Sequence, residues 1–147
     1  MGNLDIFFKK ENFEKEKMEF KFVISDPKTG KSFQKALNSE FFIGKKIGEE
    51  VEGNVIGLKD YKLRITGGSD KAGFPMRRDL DISGRKRILS GDSVGIKIKE
   101  RGKRIRKNVR GGIISDQIMQ INLKVEKSGN ETIENLLGIK KEEVKTV

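Results

Sequence analysis

Hydrophobic and polar positions alternate along most of this chain, with the period of half-buried β-strands. Phe20 and Phe22 alternate with Glu19 and Lys21, and Val23 and Ile24 continue the run. Asp26-Pro27-Lys28-Thr29-Gly30 is a turn signal, because proline pre-sets φ and glycine accepts positive φ. The pattern returns from Phe33 to Leu37, so 19–37 reads as a β-hairpin. Asn38 or Ser39 is placed to cap a short helix, in which Phe42, Ile43, Ile47 and Val51 fall at helical spacing; Gly44 and Gly48 weaken it. Gly53 and Gly57 bracket a turn region. Tyr61, Leu63 and Ile65 alternate with Lys62, Arg64 and Thr66 in a further strand, and a loop is expected from Gly67 to Gly73. Ile96 and Ile98 alternate with Lys97 and Lys99, Arg101-Gly102 turns the chain, and Ile105 and Val109 lie in a return strand that Gly111-Gly112 breaks. Ile121, Leu123 and Val125 alternate with Asn122, Lys124 and Glu126. Asn130 is placed to cap a short helix through Leu136 and Leu137, ended by Gly138. Short strands, glycine turns and one or two short helices predict a mainly β fold, a small antiparallel β-barrel. No internal repeat is present.

Composition sharpens this picture. The 147 residues suffice for one domain with a modest core; 34% are hydrophobic and 37% charged, so much of the surface must carry charge. Cysteine and histidine are absent, which excludes disulfides, thiol nucleophiles, Cys/His zinc sites and histidine acid–base chemistry. No apolar run approaches a membrane-spanning length and no signal-peptide pattern is present, so the expected location is the cytoplasm and no membrane is expected as a partner. The formal net charge is +10, and all of it falls in one window: residues 71–110 hold 14 Lys/Arg against 4 Asp/Glu, while the remainder holds 18 of each. Charge concentrated this way is the footprint of a protein that holds a polyanion.

Three constellations lie in or beside that window. The first is a basic hairpin over 97–110, with Lys97 and Lys99 on one strand face followed by Arg101, Lys103, Arg104, Arg106, Lys107 and Arg110. Glu100 is its only carboxylate, and eight cations so close repel one another unless phosphates neutralise them. Arginine forks bind phosphate or stack on unpaired bases. The bland alternative, a solvated charge run, is disfavoured by the segregation of charge. The second is the loop GGSDKAGFPMRR at 67–78: its glycines allow close backbone approach and an anion nest, Lys71, Arg77 and Arg78 flank it, and Phe74 before Pro75 is held extended, able to meet a base. Spacing alone favours a plain interstrand loop with Phe74 in the core. The third is a turn at Gly84 carrying Arg85, Lys86 and Arg87, a phosphate clamp or a solvated turn. Glu49/Glu50 and Asp79/Asp81 are formal candidates for a metal or acid–base pair, but surface decoration explains them better; no catalytic residue, metal, cofactor or small-molecule substrate is expected.

At these residues the chain resembles the archaeal and eukaryotic family of small-subunit ribosomal protein six. Three blocks carry the likeness: IGKKIGEEVEG at 43–53, ITGGSDKAGFPMRR at 65–78, and RGKRIRKNVRGGIISDQIMQINLKV at 101–125. The second is specific, with Gly67, Gly68, Asp70, Lys71, Gly73, Phe74, Pro75 and Met76 matching the family signature; Arg106, Lys107, Val109, Arg110 and Gly111 match its basic block. The resemblance implies a non-catalytic structural protein of the small ribosomal subunit with a β-barrel body, acting in translation in the cytoplasmic ribosome. Its partners would be ribosomal RNA and neighbouring ribosomal proteins. The expected RNA-binding set is Lys71, Arg77, Arg78, Arg85, Lys86, Arg87, Lys97, Lys99, Arg101, Lys103, Arg104, Arg106, Lys107 and Arg110. The likeness runs from about Met18 to Gly138, so one domain is expected over 18–138, with a polar tail at 139–147. Residues 1–17 precede it, either as a lineage-specific extension or upstream of a true start at Met18. The long basic helix and serine-rich tail of eukaryotic members have no counterpart, which implies an archaeal short form. An architectural DNA- or chromatin-binding protein is the competing reading, and a carboxylate-based enzyme acting on nucleic acid a third.

Overall fold

The computed structural model describes residues 19–138, and the expectations for 1–17 and 139–147 lie outside them. The first hairpin forms as its alternation requires. β1 (Glu19–Asp26) and β2 (Lys31–Asn38) pair antiparallel around the Pro27–Gly30 turn, where Gly30 sits at φ 69° and donates to Asp26 O. The next strands in the chain are β3 (Glu50–Glu52), β4 (Lys62–Asp70), β5 (Arg85–Ser90), β6 (Ile105–Arg110) and β7 (Ile118–Lys127). Five strands form one sheet in the order β2-β1-β7-β4-β3, and β5 and β6 form a separate two-stranded ribbon. The molecule is therefore mainly β, as its sequence predicts. The pairing is not wholly antiparallel, since β1 runs parallel to β7, with Phe22 opposite Ile121 and Ile24 opposite Leu123. Among the described residues the ladder starts at β2 and stops at β3, without closing into a ring.

The inward side chains are those of the alternating positions: Phe20, Phe22 and Ile24 on β1, Leu63 and Ile65 on β4, and Ile121, Leu123 and Val125 on β7, all buried. Each is worth about 1.5–3 kcal/mol of burial. Phe42 joins them, its ring 4.7 Å from that of Phe22.

The helix expected after Asn38 does not form. Glu40–Phe42 makes a single 3₁₀ turn, Gly44 and Gly48 take φ of 85° and 96°, and the chain enters β3. Left-handed glycines stop a right-handed helix. The amides of Gly44, Ile47 and Gly48 donate instead to Ile114, Gly112 and Ile65 carbonyls in other segments. At the other end a four-residue helix, α1 (Ile133–Leu136), forms with Thr132 rather than Asn130 as its N-cap, and Gly138 follows at φ 66°.

Candidate nucleic-acid interface

The charged window divides into three parts with different fates. The first is the β5–β6 ribbon. Basic residues 105–110 were expected to pair with 96–99; they pair with 85–90 instead, from Arg85 opposite Arg110 to Ser90 opposite Ile105. Arg85, Lys86 and Arg87 are thus strand residues, not a turn. Residues 91–104 form the long connection, in which Lys97 and Lys99 belong to no strand. There Ser93 and Ile96 exchange both backbone hydrogen bonds at 2.9 Å around Gly95, at φ 77°. This tight turn uses the amide and carbonyl groups that a partner strand would need. The alternation of 96–99 still has meaning: Ile96 is buried and Lys97 and Lys99 are exposed.

Opposite residues in an antiparallel ribbon share a face. One face therefore carries Arg85, Arg87 and Leu89 with Arg106, Asn108 and Arg110; the other carries Lys86, Ile88, Ser90, Ile105, Lys107 and Val109. Lys86, Arg87, Arg106 and Lys107 are exposed, and none of them has an ion-pair partner among the described residues. The same is true of Lys97, Lys99, Arg101 and Arg104 in the connection and of Lys71 and Arg78 nearer the sheet. Lys103 is held 3.2 Å from Glu100. Asn108 and Leu89, the latter 55% exposed, share the arginine face and were missed from sequence; adjacent Ile88 and Leu89 hide the period-2 signal of β5.

The second part is the root of the ribbon, where cations are consumed internally. Asp70 is fully buried at the end of β4. Its Oδ1 accepts from the Ala72 and Phe74 amides, each at 3.0 Å, and its Oδ2 accepts from Arg85 Nε at 2.7 Å. Arg110 Nη1 lies 3.6 Å from the same Oδ2 and donates to Gln117, while Nη2 donates to Ser115 at 2.7 Å. Burial alone would raise the Asp70 pKa; the hydrogen bonds from Arg85, Phe74 and Ala72 and the Arg85 charge outweigh it and hold the carboxyl below the ordinary range. Arg110 is only 3% exposed, so its guanidinium faces the protein and not solvent. Arg77 is similarly engaged: it forks onto Asp79 at 2.8 and 2.9 Å and donates to Ser93. The partners Ser93, Ser115 and Gln117 carry no signal in the sequence.

The third part is the glycine-rich segment. β4 continues through Gly67, Gly68 and Ser69 to Asp70, past the point where a loop was expected, with a register shift against β7 between Ile65 and Gly67. The turn that follows is closed on itself. The amides of Asp70, Lys71, Ala72, Gly73 and Phe74 donate to Phe74 O, Gln117 O, Asp70 Oδ1, Asp70 O and Asp70 Oδ1 respectively. No successive amides remain for an anion nest there. Gly73 takes φ 86°, Pro75 accepts from Arg110 N, and buried Met76 donates to Gly68 O. The segment is a clasp between β4 and the ribbon; the side chains of Lys71 and Arg78, not its amides, face solvent.

The carboxylates weighed for catalysis are each held by a cation: Glu49 by Lys45, Glu50 by Arg64, Asp79 by Arg77 and Asp81 by Lys46. No cluster of acidic side chains suited to a metal, and no helix long and apolar enough to cross a membrane, occurs among the described residues.

Comparison with known proteins places this arrangement. The family model for ribosomal protein S6e matches residues 20–138. The small ribosomal subunit protein eS6 of Archaeoglobus fulgidus is 48% identical over 129 residues, spanning 85% of this chain and 100% of the relative. That of Methanocaldococcus jannaschii is 48% identical over 119 residues, 81% of this chain and 91% of the relative. That of Methanococcus maripaludis strain C7 is 50% identical over 113 residues, 77% of this chain and 91% of the relative. The match covers the whole described fold, clasp and ribbon included, and the chain belongs to the ribosomal protein S6e family, in its archaeal form.

Proposed function

We propose that the protein is a structural, non-enzymatic constituent of the small subunit of the cytoplasmic ribosome, and that it holds ribosomal RNA through the β5–β6 ribbon and the 91–104 connection. The observation that carries the reading is the segregation of charge. Lys86, Arg87, Lys97, Lys99, Arg101, Arg104, Arg106 and Lys107 stand without acidic partners among the described residues on the ribbon and its connection, while the sequence outside 71–110 is balanced. Cations left unpaired at this density are stabilised by phosphates. Lys71 and Arg78 extend the surface toward the sheet. Arg77 and Arg110 belong to its support: they fix the ribbon to the clasp, and Arg85 joins support to surface. The archaeal relatives are proteins of the small ribosomal subunit, which fits the same reading.

The test is assembly. The protein should co-sediment with archaeal small subunits and resist moderate salt, whereas a variant with Arg87, Arg104, Arg106 and Lys107 replaced by alanine should be lost from them while melting normally. Retention of the variant would remove the ribbon from the interface. Tighter binding to duplex DNA than to folded RNA would favour the architectural DNA-binding alternative.

A further inference from the structure

One cation on the ribbon is held unlike the rest. Arg85 lies with its Cζ 4.7 Å from the centroid of the Phe74 ring. Its Nε is fixed at 2.7 Å to buried Asp70, whose other oxygen holds the Phe74 amide at 3.0 Å. A single carboxylate thus sets both the guanidinium and the residue beneath it. The Arg85 side chain nevertheless remains 44% exposed. Only its Nε is used by Asp70, and its two terminal amino groups have no hydrogen-bond partner among the described residues. A long surface arginine normally loses rotamer entropy when it binds; here the protein has already fixed it.

We propose that Phe74 and Arg85, positioned by Asp70, form a stacking platform for one unpaired nucleobase of the RNA. This rests on the RNA-binding reading above and adds to it the kind of nucleotide bound. Phe74 backs the guanidinium from 4.7 Å, and the 44% of the Arg85 side chain that stays exposed is offered to a base, which stacks on arginine planes as readily as on aromatic rings. The free terminal amino groups then donate to the oxygen or nitrogen acceptors of that nucleotide. Arg87 lies two residues further along the same ribbon face and meets the adjoining phosphate. A paired base cannot use the platform, because both its faces are covered within the helix. The exposed ribbon cations Lys86, Arg87, Arg106 and Lys107 lack this support and act as point charges along the backbone, so selectivity for an unpaired nucleotide resides at Arg85.

The test uses two RNA hairpins of one sequence, one fully paired and one with a single bulged 2-aminopurine. Arg85→Lys keeps the charge and the reach to Asp70 but removes the planar fork. Phe74→Leu keeps an apolar side chain but removes the ring. The wild-type protein should prefer the bulged hairpin and quench its 2-aminopurine fluorescence. Each variant should bind the bulged hairpin about tenfold more weakly and lose the quench, with the paired hairpin and the salt slope unchanged. Melting curves identify any variant that is misfolded; Phe74→Met then replaces Phe74→Leu, and Arg85→Gln replaces Arg85→Lys, with its loss on the bulged hairpin expected to exceed the loss that the missing charge causes on the paired one. Equal affinity of wild type and Arg85→Lys for the bulged hairpin, or equal losses on both hairpins, would overturn the platform while leaving the electrostatic reading in place. No binding of either hairpin by the wild type would overturn both.

Discussion

Gly67 and Gly68 are adjacent on β4, and the structure predicts opposite responses to the same methyl group. A Cβ at Gly68 falls on the carbonyl oxygen of Gln120 in β7, roughly 1 Å inside van der Waals contact, and 3.0 Å from Met76 Sδ. The obstacle is backbone in the best-paired strand of the sheet, so it cannot rotate away. A Cβ at Gly67 meets nothing within 4 Å. Forcing a methylene into a packed site costs about 1–3 kcal/mol, and a backbone obstacle puts Gly68→Ala at the upper end, about 2–3 kcal/mol. For a chain of this length each kcal/mol shifts Tm by about 4 °C, so Gly68→Ala should melt about 8–12 °C lower. Gly67→Ala should be unchanged or slightly more stable, since alanine restricts the unfolded chain. Calorimetry of the two variants decides the matter. Equal Tm shifts would mean that β4 and β7 do not approach at Gly68 as described. The glycine's role is thus close approach between strands, whereas a left-handed conformation belongs to Gly73 and Gly95.

Two further predictions concern the ribbon's support. Asp70→Asn should cost about 3–5 kcal/mol at neutral pH, because it leaves the buried Arg110 without its carboxylate. Asp70 is depressed in the folded state, so its contribution is full above the ordinary aspartate value of 3.8 and is lost as pH falls through the lower folded value. The Tm gap between wild type and Asp70→Asn should therefore close on acidification below pH 3.8, and a gap that widened there would refute the assignment. Arg77→Ala, which removes the fork to Asp79 and the bond to Ser93, should lower stability by about 2 kcal/mol while leaving the salt dependence of RNA binding intact. Urea denaturation and a binding titration in parallel would expose the opposite pattern, a stable protein with a flatter slope.

The strands that build the core are legible because each buries one face: Phe20/Phe22, Leu63/Ile65 and Ile121/Leu123/Val125 announce themselves by period. The parallel pairing of β1 with β7 is invisible, since period says nothing of partner or direction. The basic window marks where binding should lie, yet its alternation points to the wrong strand partner. Ile96-Lys97-Ile98-Lys99 alternates because Ile96 is buried above a tight turn, whereas β5, which does pair, has no alternation to display. The clasp is legible only through its resemblance: the spacing GGSDKAGFPM does not reveal that Asp70 reaches Arg85 and Arg110, 15 and 40 positions ahead. Formal charge likewise cannot separate Arg110, which is spent on Asp70, Ser115 and Gln117, from Arg106, four residues earlier and open to solvent.

The central claim is that the unpaired cations of the ribbon and its connection neutralise RNA phosphates. The slope of log K against log salt for a folded small-subunit RNA fragment tests it most directly. With about five to eight phosphates neutralised, the wild-type slope should be about −3.5 to −7. Replacing Arg87, Arg104, Arg106 and Lys107 by alanine should flatten it by about 3, with Tm unchanged because none of the four has an ion-pair partner among the described residues. A variant that binds with the wild-type slope would contradict the claim, and the contact would have to lie on another face of the molecule.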